Sequence, residues 1–295
     1  MGPDYAGPVT LHRSEPMPDD LVAPVLVAAF DGWVDAAGAS SAGAEFLAHG
    51  GLLLATFDAD ALYDYRSRRP VLDIVDGTLT QIVWPSLELH RVRAGGRDLL
   101  VLHGAEPDFR WKELGDDVLD LCLRLGVVQF VSIGAIPAAV PHTRPVSVLA
   151  NASAPGLLHE AELQGPPGLL RVPSACLSAI EIAVSGSGIP SVGFYAQVPH
   201  YVGGPYAAAT LSLLRHLGRH LSIDLPEGDL EQEAAAQRER LDSLVEADED
   251  VRAMLAQLES ARESEEIPTG DELAAEIERF LRTEGPEGGG TIPPP

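Results

Sequence analysis

Six apolar residues run from Val25 to Phe30 before Asp31-Gly32-Trp33 interrupts them. So short an unbroken run reads as a strand buried on both faces, as in a parallel sheet. Asp35–His49 then reads as a helix, closed by Gly50-Gly51 where a left-handed cap would sit. Leu52–Phe57 is the next apolar run, so the opening spells strand–helix–strand, the unit that demands a parallel sheet. Small residues fill the helix between Ala36 and Ala44, which would let its backbone lie close to that sheet.

The same patterning continues. Asp58–Pro70 is a polar connection with room for one helical turn, and Gln81–Trp84 and Leu87–Val92 read as strands meeting at Pro85. Gly95-Gly96 is a turn signal that predicts a hairpin with Asp98–His103. Trp111–Leu125 is amphipathic, with Leu114, Val118, Leu121, Cys122 and Leu125 on one face. Val127–Ile133, Val146–Ala150 and Ser191–Val198 read as strands; Gly156–Gln164, Ala175–Val184 and Tyr206–Leu221 read as helices. Alternation from 25 to 221 predicts an α/β fold in three layers, an α/β/α sandwich. The expected division is an irregular lead-in over 1–20, the α/β/α domain over 21–225, an acidic helical extension over 226–284 and a disordered tail over 285–295. Within the extension, helices Asp229–Glu263 and Asp271–Arg282 would form a hairpin joined at Ser264–Gly270.

Charge sharpens this picture. The net charge of the 295 residues is −24, and residues 226–295 hold 20 of the 44 acids but 6 of the 20 bases, which is −14 for that stretch. Such a chain repels nucleic acid and anionic membranes, both of which need clustered Lys and Arg. There is no apolar run of about 18 residues to span a bilayer, and no basic start followed by an apolar leader. Cys122 and Cys176 sit apart among apolar neighbours, which suits reduced thiols in a cytoplasmic protein.

Candidate chemistry lies where the predicted strands end in polar loops, the crevice in which open α/β sheets bind ligands. Asp31, Glu106, Arg110, His142, Arg144 and His200 would converge there. Carboxylates with Arg and His serve acid–base catalysis or grip an anion; the same residues equally serve as helix caps and ion pairs that set loop geometry. The chain has no phosphate-binding P-loop and no Gly-x-Ser-x-Gly elbow, and Gly186-Ser187-Gly188 precedes a strand instead of following one. No cofactor is expected. His216 and His220 stand at i, i+4 without a third ligand, so they read as a solvated helix face and no metal is expected.

Three stretches carry a resemblance. Phe30-Asp31-Gly32-Trp33 with Asp35-Ala36-Ala37-Gly38, then Pro141-His142-Thr143-Arg144, and above all Gly193-Phe194-Tyr195-Ala196-Gln197-Val198-Pro199-His200-Tyr201 resemble the actinobacterial branch of the proteasome assembly chaperone family. The resemblance implies a phosphorylase/hydrolase-like α/β/α fold, a cytoplasmic homo-oligomer (a trimer is the guess) and proteasome subunits or another complex as partners. It implies no catalytic residues. Members that dock on proteasome rings use a C-terminal hydrophobic–Tyr–any-residue tail, whereas this sequence ends Ile292-Pro293-Pro294-Pro295. Contact through the acidic helices, or another role, is the expectation that follows. An enzyme of hydrolase or phosphorylase-like transferase type, acting on a small molecule in the crevice, is the alternative.

Overall fold

The computed structural model describes residues 10–14 and 16–263. The predicted helix at Asp271–Arg282, its joint at Ser264–Gly270 and the tail beyond 285 lie outside the described residues.

Strands β1 (Leu11–Ser14), β2 (Val25–Asp31) and β3 (Leu52–Phe57) come first, with helices α1 (Ala39–Ala48) and α2 (Ala59–Leu62). They are followed by β4 (Val71–Val75), β5 (Thr78–Val83), β6 (Leu87–Ala94), β7 (Arg97–Ala105) and α3 (Trp111–Leu125). Next are β8 (Gln129–Ala138), β9 (Val148–Ala152), β10 (Leu163–Gln164), α4 (Cys176–Gly186), β11 (Ser191–Pro199) and α5 (Ala207–Leu221). Two helices, α6 (Leu230–Ala247) and α7 (Glu249–Glu263), end the described chain. No described helix is long and apolar enough to cross a membrane.

Nine strands form one mixed sheet in the order β1-β3-β6-β7-β2-β8-β11-β9-β10. The four central strands, β7, β2, β8 and β11, are parallel. Strand parity splits the core into two. Leu26, Ala28 and Phe30 of β2 pack with α3 and α4, whereas Val25, Val27 and Ala29 pack with α1 and α5. The architecture is therefore the three-layer α/β/α sandwich, and β2 is buried on both faces as its unbroken apolar run requires.

Several elements differ from the sequence reading. β3 runs parallel to β2 but is not its neighbour, because the β6–β7 hairpin stands between them. That hairpin turns at Gly95-Gly96, where both residues have positive φ, as a tight two-residue turn demands. Within the expected lead-in, β1 pairs antiparallel with β3. The helix expected from Asp35 begins later, because Ala36–Gly38 form a 3₁₀ turn with Ala37 in the left-handed region. The helix expected at Gly156–Gln164 is absent; the segment is turns followed by β10. The single helix expected over Asp229–Glu263 is broken at Asp248, whose carboxylate accepts from the amides of Asp250 and Val251 and so starts α7 anew.

Most unexpected is β4, unread in the sequence. It pairs with β5 in a separate two-stranded ribbon through a turn at Asp76-Gly77.

Candidate functional site

Asp31 and Glu106 stand at the carboxyl ends of the adjacent parallel strands β2 and β7, and the Glu106 amide donates to the Asp31 carbonyl at 2.9 Å. The structure joins them with Arg68, a residue the sequence reading left out: its Nη1 lies 2.6 Å from Asp31 Oδ1. Glu106 is fully engaged by backbone. Its Oε2 accepts from the Trp33 amide at 2.9 Å, and its Oε1 accepts from the Cys176 amide at the start of α4 at 2.7 Å. Gly32 makes this possible, since a Cβ there would fall 2.4 Å from Glu106 Oε2.

The remaining candidates do not join that pair in one cluster. Arg110 caps α3 from the left-handed region and is exposed. Arg144 is exposed beside a shallow depression lined by Val140, Pro145, Gln197 and Tyr206. His142 and His200 instead meet around Tyr201, both edge-on, with ring centroids 5.7 and 5.5 Å from it. His142 is buried. Its backbone amide donates to the Tyr201 hydroxyl at 2.7 Å, and that hydroxyl lies 2.7 Å from Nδ1. Nε2 faces Asp242 of α6 at 3.2 Å, so the tautomer that satisfies both partners is protonated on Nε2. Burial outweighs the Asp242 hydrogen bond and holds His142 below the usual imidazole range. His200 is exposed.

The first helix tests the anion-binding reading directly. Asp35 Oδ1 accepts from the amides of Ser40 (2.7 Å) and Ser41 (3.1 Å), and both serine hydroxyls donate to the same carboxylate. A protein carboxylate therefore occupies the place where a phosphate would bind a helix N-terminus.

A second polar group escaped the sequence. On the α4 side of the sheet, Ser132 Oγ donates to Glu181 Oε2 at 3.1 Å and lies 3.5 Å from the Tyr195 hydroxyl. The Tyr195 ring fills the space left by two glycines: a Cβ on Gly134 would fall 2.7 Å from its Cδ1, and one on Gly193 2.9 Å from its Cε2. Burial raises the Glu181 carboxyl and pushes the Tyr195 phenol up to about 12. The Gly193–Tyr201 motif thus has a structural logic. Its apolar members build the core strand β11, Gly193 and Tyr195 interlock on one face, and Tyr201 fastens His142.

The histidines of α5 are not a solvated face. His220 is buried, with Nδ1 2.9 Å from Glu162 and Nε2 2.8 Å from the Gln129 amide, and its ring is edge-on to Phe194. His216 is half-buried against Phe194, and its Nδ1 lies 2.8 Å from the Ser212 carbonyl. Both cysteine thiols are buried, and burial pushes Cys122 up to about 12 and Cys176 further, so neither is a reactive thiolate.

Comparison with known proteins agrees with this architecture. The model of the PAC2 family matches residues 29–245. No curated protein matches the chain. Among solved structures, the Mycobacterium tuberculosis protein of unknown function Rv2714 is 33% identical with a TM-score of 0.82, over 94% of this chain and 98% of that one. The proteasome-assembly chaperone homologue Rv2125 of the same organism is 34% identical with a TM-score of 0.72, over 78% and 99%. PbaB of Pyrococcus furiosus, an archaeal proteasome activator, is 14% identical with a TM-score of 0.60 over 80% and 97%, a likeness of fold.

Proposed function

The chain belongs to the PAC2 family, and from that premise we propose that it is a non-catalytic protein-binding protein of the assembly-chaperone kind. It acts in the cytoplasm as a homo-oligomer, with proteasome subunits as its first candidate partners. One observation carries the reading. The β4–β5 ribbon shows apolar cross-strand pairs on both of its faces, Val71 with Val83 and Leu72 with Ile82, and Ile74 pairs with Leu79. Ile74 and Leu79 are 57% and 68% exposed, and Trp84 beyond the ribbon is 49% exposed. A free two-stranded ribbon is marginal in water, and an apolar patch of this kind marks contact with another protein.

The strand-end crevice supports the same side. Glu106 has both oxygens on backbone amides and Asp31 is paired with Arg68, so these groups already perform structural work. The names of the relatives point to proteasomes, and the acidic helices α6 and α7 offer a second surface for partner contact.

The test is capture of the tagged full chain from its native cytoplasm with mass spectrometry, beside the double variant Ile74→Asp/Leu79→Asp. Proteasome subunits recovered with the full chain and lost in the variant are the expected result. Recovery of the chain alone in both cases, with turnover of a small molecule abolished by Asp31→Asn, would establish the enzymatic alternative.

A further inference from the structure

Glu88 and His90 alternate with buried Leu87 and Leu89 on β6 and so share one face of the sheet, and pairing with Glu88 places His103 of β7 on that face too. Glu88 stands directly opposite His103 in the antiparallel register, and His90 is the diagonal neighbour. His90 Nδ1 and His103 Nε2 lie 3.1 Å apart, with ring centroids at 5.1 Å. Two imidazole nitrogens can face each other at this distance in only two ways, by sharing one proton or by sharing one metal ion. Two nitrogens each about 2.0–2.1 Å from a tetrahedral Zn²⁺ are themselves roughly 3.3 Å apart, close to the spacing already present. The Glu88 carboxylate lies 3.7 Å from Nε2, the His90 nitrogen outside that pair, and one ligand atom from each of the three residues lies within 4.8 Å of the other two. The His90 and Glu88 side chains are 16% and 32% exposed, so a hydrated cation can reach them and the carboxylate can swing toward the nitrogen pair.

We propose that Glu88, His90 and His103 form a divalent transition-metal site of the zinc type, with two imidazoles and one carboxylate as ligands and an open position for water. Imidazole with carboxylate suits Zn²⁺ and its neighbours over Mg²⁺ or Ca²⁺, which prefer all-oxygen shells. The ligands sit on two strands joined by a continuous ladder, so the protein does not have to fold around the ion. His159, Glu162 and His220 form the other such grouping among the described residues. There the His220 ring is already held on both nitrogens, by Glu162 and by Gln129, which leaves no lone pair for a metal.

The experiment is titration of the metal-stripped full chain with Zn²⁺ by calorimetry, with Co²⁺ as spectroscopic probe, on the natural protein and on His90→Ala, His103→Ala, Glu88→Gln and His159→Ala. One Zn²⁺ per chain is expected, bound at least tenfold more weakly in the first three variants and unchanged in His159→Ala, with intense visible Co²⁺ absorption that His90→Ala and His103→Ala abolish. Circular dichroism confirms that each variant is folded. Glu88→Gln, at a ligand more exposed than His90, keeps the test available if a histidine variant is not. Absence of binding to the natural protein, binding undiminished in the three ligand variants, or loss confined to His159→Ala would each overturn the assignment.

Discussion

His142 joins three parts of the molecule through one ring: its own loop, Tyr201 after β11, and Asp242 on α6. Because burial holds its folded value below that of a free imidazole, the unfolded chain takes up a proton first as pH falls. The neutral ring's contribution is therefore complete above the unfolded value of about 6.5 and declines as pH drops toward the folded one. His103 and His216 are shifted the same way, so stability in urea should rise with pH through this window, and His142→Gln should remove part of the slope. Truncation, His142→Ala, leaves the Tyr201 hydroxyl without its ring partner and should cost about 1–3 kcal/mol at neutral pH. A slope identical in His142→Gln would show that the ring titrates normally. Asp31 and Glu106 were legible as polar residues closing apolar strand runs. Arg68, Ser132 and Glu181 were not, because each meets its partner across 37 or more residues and none stands at a strand end.

Helix α1 shows why local signals located elements better than neighbours. Its end before Gly50 was readable from a left-handed glycine, whereas its start falls four residues after Asp35, which caps it across the 3₁₀ turn. What the apolar pattern leaves open is which strand lies next to which, since a buried run looks the same beside any partner. The β6–β7 hairpin could therefore enter between β2 and β3 without leaving a trace in either run. The ribbon strand β4 was missed for the opposite reason: it is apolar without a core to face. Asp35 carries an element-scale prediction. It satisfies two amides in the first turn of α1 and holds both Ser40 and Ser41 hydroxyls. Asp35→Ala should lower stability by about 0.5–2 kcal/mol, with hydrogen exchange quickened first at Ala39–Ser41, whereas Asp35→Asn keeps an acceptor and should cost less. Uniform exchange changes across the sheet would refute a local capping role.

At the scale of the whole molecule, the division of charge was plain in the sequence, but the way the acidic helices meet the body was not. Polar contacts that dock them include Gln237 with the Ala207 amide and the Pro205 carbonyl, Asp242 with His142, Arg238 with the His142 carbonyl, Thr143 with Glu259 of α7, and Arg215 with Glu227 and Glu231. Leu230 and Leu241 pack against the core, yet α6 has no fully buried residue. Two opposing electrostatic effects act on this docking. Exposed pairs such as Arg215–Glu227 contribute about 0.2–1 kcal/mol each and weaken with salt. Against them stands the repulsion between the −14 of residues 226–295 and the −10 of residues 1–225, which salt also screens, with a Debye length of about 10 Å at 0.1 M. Since each exposed pair contributes so little, the like charge of the two parts is expected to dominate. Raising ionic strength from low salt should therefore slow hydrogen exchange in α6 and α7 while leaving β8 and β11 unchanged. Faster exchange of α6 on adding salt would mean that the ion pairs, and not the apolar contacts of Leu230 and Leu241, hold the extension to the body.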